Sequence, residues 1–182
     1  MNRAIAALVA LACVAAKPQD VAYNQISAVA DMAWGFGLQP DVTWRLCGEV
    51  NAWYDIRTAD ITLCVETLSD PAAVFIAAHE TGHALVYGLD LTKPKYAYAD
   101  ERAADELAAM YLVYSDQTDE LVAGAQWFMR MGHEEPSDDP HAPAQERAHL
   151  LLCLADGAEN GTPECRTLWN RTVAYWTDQL GQ

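Results

Sequence analysis

The chain has 182 residues, of which 52% are hydrophobic, and its formal net charge at pH 7 is -15. This length and apolar content suit one domain with a core of ordinary size. The negative charge argues against nucleic acid and against anionic membrane surfaces as partners, since both would repel the protein.

Residues 1–16 have the features of a cleavable signal peptide. Arg3 supplies a positive charge, an apolar stretch follows, and residues 14–16 are small. The apolar stretch is shorter than the roughly 20 residues that a membrane span needs, and no later segment supplies one. We therefore expect export to the periplasm or the medium, with residues 17–182 as the single mature domain. Lipoprotein processing, with a lipid anchor at Cys13, is the weaker alternative.

The cysteines beyond Cys13 favour disulfide bonds. They are Cys47, Cys64, Cys153 and Cys165, and an even number of cysteines in an exported chain is typical of disulfide pairing. We prefer the pairs Cys47–Cys64 and Cys153–Cys165 because each encloses one compact segment, although the sequence alone leaves the connectivity open. A zinc site made from these cysteines is disfavoured because the chain has no C-x-x-C spacing.

The order of apolar, β-branched and turn residues predicts one α+β domain. A first helix is predicted over residues 20–38. Three short antiparallel strands are predicted over residues 42–46, 52–56 and 61–65, which are rich in β-branched and aromatic residues. Ser69-Asp70-Pro71 is a helix-start signal. Further helices are predicted over residues 72–89, 100–114, 121–131, 144–154 and 168–180.

The helix predicted over residues 72–89 carries two histidines four residues apart. His79 and His83 therefore share one face and can bind the same metal ion. Glu80 follows the first histidine and can reach a water bound to that metal. Gly82 weakens the helix by about 1 kcal/mol relative to alanine, which suggests that something passes close to it, and a simple packing contact would explain it equally well. The alternative is a helix whose histidines only satisfy local hydrogen bonds.

A third metal ligand is predicted on the next helix. A catalytic zinc normally has three protein ligands and one open position. Glu101 and Asp105 are four residues apart, so Glu101 could bind the metal while Asp105 accepts a hydrogen bond from a ligand histidine. The alternative is a charged helix face that forms ion pairs with Arg102.

These motifs resemble those of the gluzincin metallopeptidases. H-E-x-x-H at residues 79–83, followed by E-x-x-A-D at residues 101–105, is similar to the HtpX-like enzymes. Asn51-Ala52-Trp53 resembles the edge strand on which gluzincins, thermolysin included, align the substrate backbone. The chain lacks the membrane helices of the HtpX-like group and the large second domain of thermolysin, so specificity pockets cannot be transferred.

The late part of the chain extends this resemblance. His141 and Arg147 resemble the H-P…R segment of the HtpX-like group, whose arginine is placed near the substrate. The chain is also similar, over residues 45–155, to a group of small exported bacterial proteins described as metallopeptidases of unknown function. The shared motifs are Cys47-Gly48, Asn51-Ala52, the histidine helix, residues 101–105, and the late segment with His141, Gln145, Arg147 and Cys153.

The resemblance implies a zincin-like metallopeptidase domain, in which a short antiparallel sheet packs on the H-E-x-x-H helix beside further helices. One Zn²⁺ would be held by His79, His83 and Glu101, with Asp105 supporting a ligand histidine. Glu80 would activate a zinc-bound water for the hydrolysis of a peptide bond. Two alternatives remain open: a catalytically inactive zincin-fold protein that binds peptides, and a zinc amidohydrolase that acts on a non-peptide amide.

Other residues are predicted to contact the substrate or the oxyanion. The resemblance implies that Asn51, Ala52, Trp53 and Arg147 bind a peptide or protein substrate. His141 is the candidate for oxyanion stabilisation because neighbouring aspartates could orient its ring, and an exposed loop histidine is the alternative. Tyr96 and Tyr98 are second candidates for this contact. The sequence leaves the oligomeric state and the side-chain preference open.

Overall fold

The computed structural model of the protein describes residues 18–93, 95, 98–131 and 143–181. The predicted signal peptide, Cys13, Tyr96 and His141 lie outside the described residues. Within these ranges no helix is both long enough and apolar enough to cross a membrane.

The described residues form a mixed α+β structure, as the sequence predicts. The helices are α1 (Pro18–Trp34), α2 (Ala73–Gly88), α3 (Ala99–Tyr114), α4 (Thr118–Met131), α5 (Ala144–Ala158) and α6 (Pro163–Leu180). The strands are β1 (Val42–Arg45), β2 (Ala52–Asp55) and β3 (Asp60–Cys64), and a short 3-10 helix, Val65–Ser69, follows β3.

The sheet is mixed rather than antiparallel. Its strand order is β1-β3-β2, with β2 antiparallel to β3 and β1 parallel to β3. The prediction of three antiparallel strands is therefore wrong for β1. Ile61 and Leu63 of β3 are fully buried, so the most apolar strand takes the central position and separates β1 from β2. Consequently β2 lies at one edge of the sheet.

Helix α2 occupies the centre of the domain and packs against α1, α3, α4 and the sheet. Its residues 73–82 are all buried, which is the behaviour of a helix that is apolar on every side. The helix begins at Ala73 with Ala72 as its N-cap, which is later than the start signal Ser69-Asp70-Pro71 predicts. The Asp70 carboxylate accepts the backbone N–H of Ala72 at 2.8 Å and also binds Arg130 of α4 at 3.0 Å.

Two disulfides join the expected cysteine pairs. Cys47 pairs with Cys64 at a Cα–Cα distance of 5.6 Å, and Cys153 pairs with Cys165 at 4.9 Å. The second bond links α5 to α6, and both helices extend beyond their predicted bounds of 154 and 168 into the segment between them. Thr162 caps α6 by accepting the backbone N–H of Cys165, so the connection is shorter than predicted.

Candidate metal centre and active-site cleft

A close approach of α2 and α3 brings the two predicted ligand segments together. A Cβ placed on Gly82 would lie 2.7 Å from the carbonyl oxygen and 2.8 Å from the Cα of Ala104. No side chain larger than hydrogen fits there without a shift of the backbone, so the prediction that something passes close to Gly82 is confirmed. Because Ala104 lies between Glu101 and Asp105, this approach sets both carboxylates against the histidine face of α2.

His79, His83 and Glu101 converge at the crossing of these helices. The Nε2 of His79 is 3.5 Å from Oε2 of Glu101, and the Nε2 of His83 is 3.4 Å from Oε1 of Glu101. One ligand atom from each of the three residues lies within 4.8 Å of the other two. A tetrahedral zinc with ligands at about 2.0–2.1 Å separates its ligand atoms by about 3.3–3.4 Å. Each histidine nitrogen thus lies at about this separation from one of the two Glu101 oxygens, Oε2 for His79 and Oε1 for His83.

Asp105 lies behind His79. Its carboxylate oxygen Oδ1 is 2.9 Å from Nδ1 of His79, and its side chain is completely buried. A hydrogen bond donated by Nδ1 leaves the lone pair on Nε2, the ring nitrogen that faces Glu101. Asp105 therefore fixes the orientation of the imidazole, and in the neutral ring this contact favours the tautomer in which Nε2 could bind a metal.

Arg147 of α5 clamps the two carboxylates of α3. Its guanidinium donates to both oxygens of Asp105 at 2.8 and 2.9 Å, and Nη1 lies 3.0 Å from Oε2 of Glu101. The group stacks over the ring of Phe128 with 4.0 Å between the guanidinium carbon and the ring centroid. The sequence predicts that Arg147 binds substrate, whereas the contacts of its guanidinium are with these carboxylates and with His79.

A cavity of about 700 Å³ opens beside the histidines. Its walls include every predicted metal ligand, Glu80, Arg147 and the segment Asn51-Ala52-Trp53, together with Tyr98 at the start of α3. Among the described residues, all the predicted catalytic, metal-binding and substrate-binding residues line one cleft. Asp105 does not line it, but contacts His79 from the side away from the cleft.

The comparison with known families agrees with this arrangement. The model of the family described as "Putative metallopeptidase" matches residues 70–165, which is just over half of the chain. The chain belongs to this metallopeptidase family. The match contains both histidines, Glu101, Asp105 and Arg147, but it begins after the last strand of the sheet. No curated protein and no solved structure matches the chain.

The electrostatics of this metallopeptidase site are dominated by buried carboxylates. Burial and the charge of Arg147 lower the pKa of His79, but hydrogen bonds with Asp105 and Glu101 outweigh them and raise it to about 9. Burial raises the pKa of Asp105, but the opposing effect of Arg147 and His79 is larger, so the pKa lies below its usual value. Glu80, Glu101 and Asp105 are each less than a tenth exposed. When ionised, these three carboxylates carry three negative charges, which the positive charges of Arg147 and one divalent cation would balance.

Sequence reasoning identified Trp53 and Tyr98 but missed other aromatic residues of the cleft. Phe75 and Tyr87 line the cavity on the same helix as the histidines. Trp127 and Phe128 of α4 also line it, and the ring of Phe128 contacts that of Phe75. The signal was present for α2, since Phe75, His79, His83 and Tyr87 follow one another at intervals of four. No such signal exists for the α4 residues, because they reach the cleft only through the packing of α4 on α2.

Proposed function

We propose that this protein is a zinc-dependent peptidase with a zincin-like domain and that it hydrolyses peptide bonds of its substrates. The observation that carries the proposal is the convergence of His79, His83 and Glu101, with ligand atoms within 4.8 Å of one another, on the wall of a cleft. Two imidazole nitrogens and one carboxylate oxygen are a donor set that suits Zn²⁺ at a catalytic site. Bound there, Zn²⁺ would supply a Lewis acid that polarises a carbonyl and lowers the pKa of a coordinated water to about 7.

Glu80 is the proposed general base. It follows His79 on α2, about 100° further around the helix, and it lines the same cavity. Its carboxylate would accept the proton of the attacking water and then deliver that proton to the leaving amine. Burial of Glu80 near the positive charge of Arg147 keeps an acceptor for this proton inside a site that is shielded from bulk water.

Asp105 and Arg147 hold the ligands in place. Asp105 fixes the ring of His79, and Arg147 bridges Asp105 and Glu101 across the gap between α5 and α3. The fork of the guanidinium restrains both carboxylates in a way that a single ammonium group could not. We therefore propose that Arg147 positions the ligands, and its contact with substrate, which the resemblance implies, stays a prediction.

The outer edge of β2, which pairs with no other strand among the described residues, is the proposed binding position of the substrate backbone. In the register of β2 with β3, Ala52 pairs with Leu63, and the N–H of Cys64 donates to the carbonyl of Asn51 at 3.0 Å. The pairing alternates along an antiparallel ladder, so the backbone groups of Ala52 and Tyr54 point away from β3. The N–H of Ala52 bonds to Oδ1 of Asn51. An added peptide strand would thus bond the carbonyl of Ala52 and the amide groups of Tyr54.

An oxyanion contact completes the proposed site. Tyr98 lies at the N-cap of α3, three residues before Glu101, and its backbone adopts a left-handed conformation with φ of 55°. Its exposed side chain lines the cleft. We propose Tyr98 as a hydrogen-bond donor to the developing oxyanion, with His141 as the second candidate.

Export remains part of the proposal. Two disulfides persist in an oxidising compartment such as the periplasm or the extracellular medium. We accordingly propose that residues 1–16 are removed as a signal peptide and that residues 17–182 form the mature protein. Amino-terminal sequencing of the protein recovered from the periplasm or medium tests this, and recovery of reduced, unprocessed protein from the cytoplasm would contradict it.

Metal analysis combined with peptide cleavage tests the proposed activity. Wild type and Glu80→Gln should each retain about one zinc per chain, and only wild type should cleave a peptide library. Glu146→Gln is the control, because this exposed residue neighbours Arg147 without lining the cavity. It should retain both zinc and activity. Absence of stoichiometric metal, or equal cleavage by Glu80→Gln, would overturn the proposed mechanism.

A further inference from the structure

Four side chains that line the cleft follow one another along α2. Phe75, His79, His83 and Tyr87 lie at intervals of four residues, and all of them face the cavity. The twelve helical steps from Phe75 to Tyr87 span about 18 Å, the length of about five residues of extended peptide. The proposed metal ligands therefore have an aromatic ring on either side along the cleft.

The Phe75 end of the cleft is apolar. The Phe75 ring lies 5.8 Å from the ring of Phe128 in an edge-on contact, and Trp127 lies 5.0 Å from Phe128. Met131, at the end of α4, lines the cavity here and is 45% exposed. A bulky apolar side chain entering this end would contact aromatic rings and a thioether on several sides.

The Tyr87 end of the cleft contains aromatic rings and an ion pair between Lys93 and Asp100. The ring of Tyr87 stacks on that of Tyr54 at 6.2 Å, and Lys93 lies over the Tyr87 ring while it pairs with Asp100. Ile56, which is 57% exposed, lines the cavity just after β2. Apolar surface is thus available at this end as well, and the lysine is already bonded to a carboxylate.

We propose that the cleft accepts an extended polypeptide segment with bulky apolar side chains on both sides of the bond that is cleaved. This substrate class rests on the proposed peptidase function. Among the charged groups between the two ends, His79, Glu101 and Arg147 bond to one another, and Glu80 is the proposed base for the attacking water. A charged substrate side chain would lose its hydration at either end and gain little in return, whereas an apolar one would be buried against rings.

Two pairs of matched variants test the proposal. Met131→Lys and Ile56→Lys place a charge at opposite ends of the cleft. Met129→Lys and Leu46→Lys are their controls, since Met129 is equally exposed at 45%, Leu46 is exposed at 80%, and neither lines the cavity. The substrates are internally quenched peptides that carry Leu or Phe, Lys, or Asp on each side of one central bond. Wild type should cleave the doubly apolar peptides about 10-fold or more faster, by kcat/KM, than the others.

Each cleft variant should lose about 10-fold in kcat/KM for apolar peptides, on one side of the bond only, and should gain tolerance of Asp on that side. The controls should match wild type. Equal rates for apolar and charged peptides, or equal losses in the control variants, would overturn the substrate class while leaving the peptidase function intact.

A binding assay separates failure of this inference from failure of the proposed function. The fluorescence anisotropy of labelled peptides is measured with zinc-loaded Glu80→Gln, which should bind the doubly apolar peptides at least about 10-fold more tightly than the charged ones. Selective binding without cleavage by any form would support the substrate class and overturn peptide hydrolysis. Cleavage by wild type without selective binding or selective rates would overturn the substrate class alone.

Discussion

Gly82→Ala should weaken both the fold and the metal site, because the added methyl group meets the backbone of α3. The new Cβ would lie 2.7 Å from the carbonyl oxygen and 2.8 Å from the Cα of Ala104. Ordinary van der Waals contact begins at 3.4 Å, so α2 and α3 must separate by about 0.6–0.7 Å. Neither helix can yield by rotating a side chain, since both contacts are with backbone.

The expected magnitude combines two opposing terms. Overpacking of a buried contact costs about 1–3 kcal/mol, and the better helix propensity of alanine returns about 1 kcal/mol. A net loss of about 1 kcal/mol lowers the melting temperature by about 2–4 °C in a protein of this size. The same separation displaces Glu101 from His79 and His83 by more than the roughly 0.2 Å that a well-formed zinc site tolerates. We expect zinc affinity to fall about 10- to 100-fold.

The assay measures stability and metal binding on the same preparations. Urea unfolding in the presence of a chelator gives the free energy of unfolding of the metal-free protein, and competition with a chromogenic chelator gives the zinc dissociation constant. Gly88→Ala is the matched control in α2, because its Cβ would meet Leu38 at 2.8 Å through the end of a flexible side chain. Zinc affinity should be unchanged in this control.

Wild-type zinc affinity in Gly82→Ala would refute the reasoning, since the metal site would then not depend on the close approach of the two helices. Equal losses of affinity in Gly82→Ala and Gly88→Ala would refute it as well. In that case the effect would come from added bulk anywhere in α2 rather than from the contact with Ala104.

Three further predictions concern the support of the site and of the fold. Arg147→Lys should lower kcat and zinc affinity about 10-fold or more with little change in KM, because Lys cannot bridge two carboxylates; a rise in KM alone would restore the substrate-binding interpretation. In metal-free protein, His79 contributes stability that is fully present below pH 6.5 and lost as the pH rises through its folded pKa of about 9. Chemical denaturation across this window should therefore show a loss on the order of 3 kcal/mol that His79→Gln abolishes, and a flat wild-type profile would contradict the assignment. Replacing Cys153 and Cys165 together by serine should lower the free energy of unfolding by about 3 kcal/mol with kcat retained, and a large loss of kcat would show that the α5–α6 link also serves the site.

The sequence predicted those parts of the site that depend on spacing within one helix. His79 and His83 are four residues apart, as are Glu101 and Asp105, and the helical period sets which of them share a face wherever the helix lies. The ends of α3 and α4 were predicted to within a few residues for the same reason, since apolar periodicity is local.

Features that depend on contacts between distant segments were not predictable in the same way. The parallel pairing of β1 with β3 follows from the burial of Ile61 and Leu63 at the centre of the sheet, whereas turn signals alone favoured three antiparallel strands. The segment of Arg147 was compared with one that lies near substrate, but the packing of α5 directs its guanidinium to Asp105 and Glu101.

The sequence by itself determined which groups this protein can bring to the site: two imidazoles and a carboxylate on one helix, and two further carboxylates at helical spacing on another. Only the tertiary structure decided that these groups meet. The backbone of α3 passes Gly82 closely enough to bring Glu101 within 3.5 Å of both histidines, and α5 contributes the cation that holds the carboxylates. The physical reason is that helix periodicity is a local property, whereas the distance between two helices depends on every side chain packed between them.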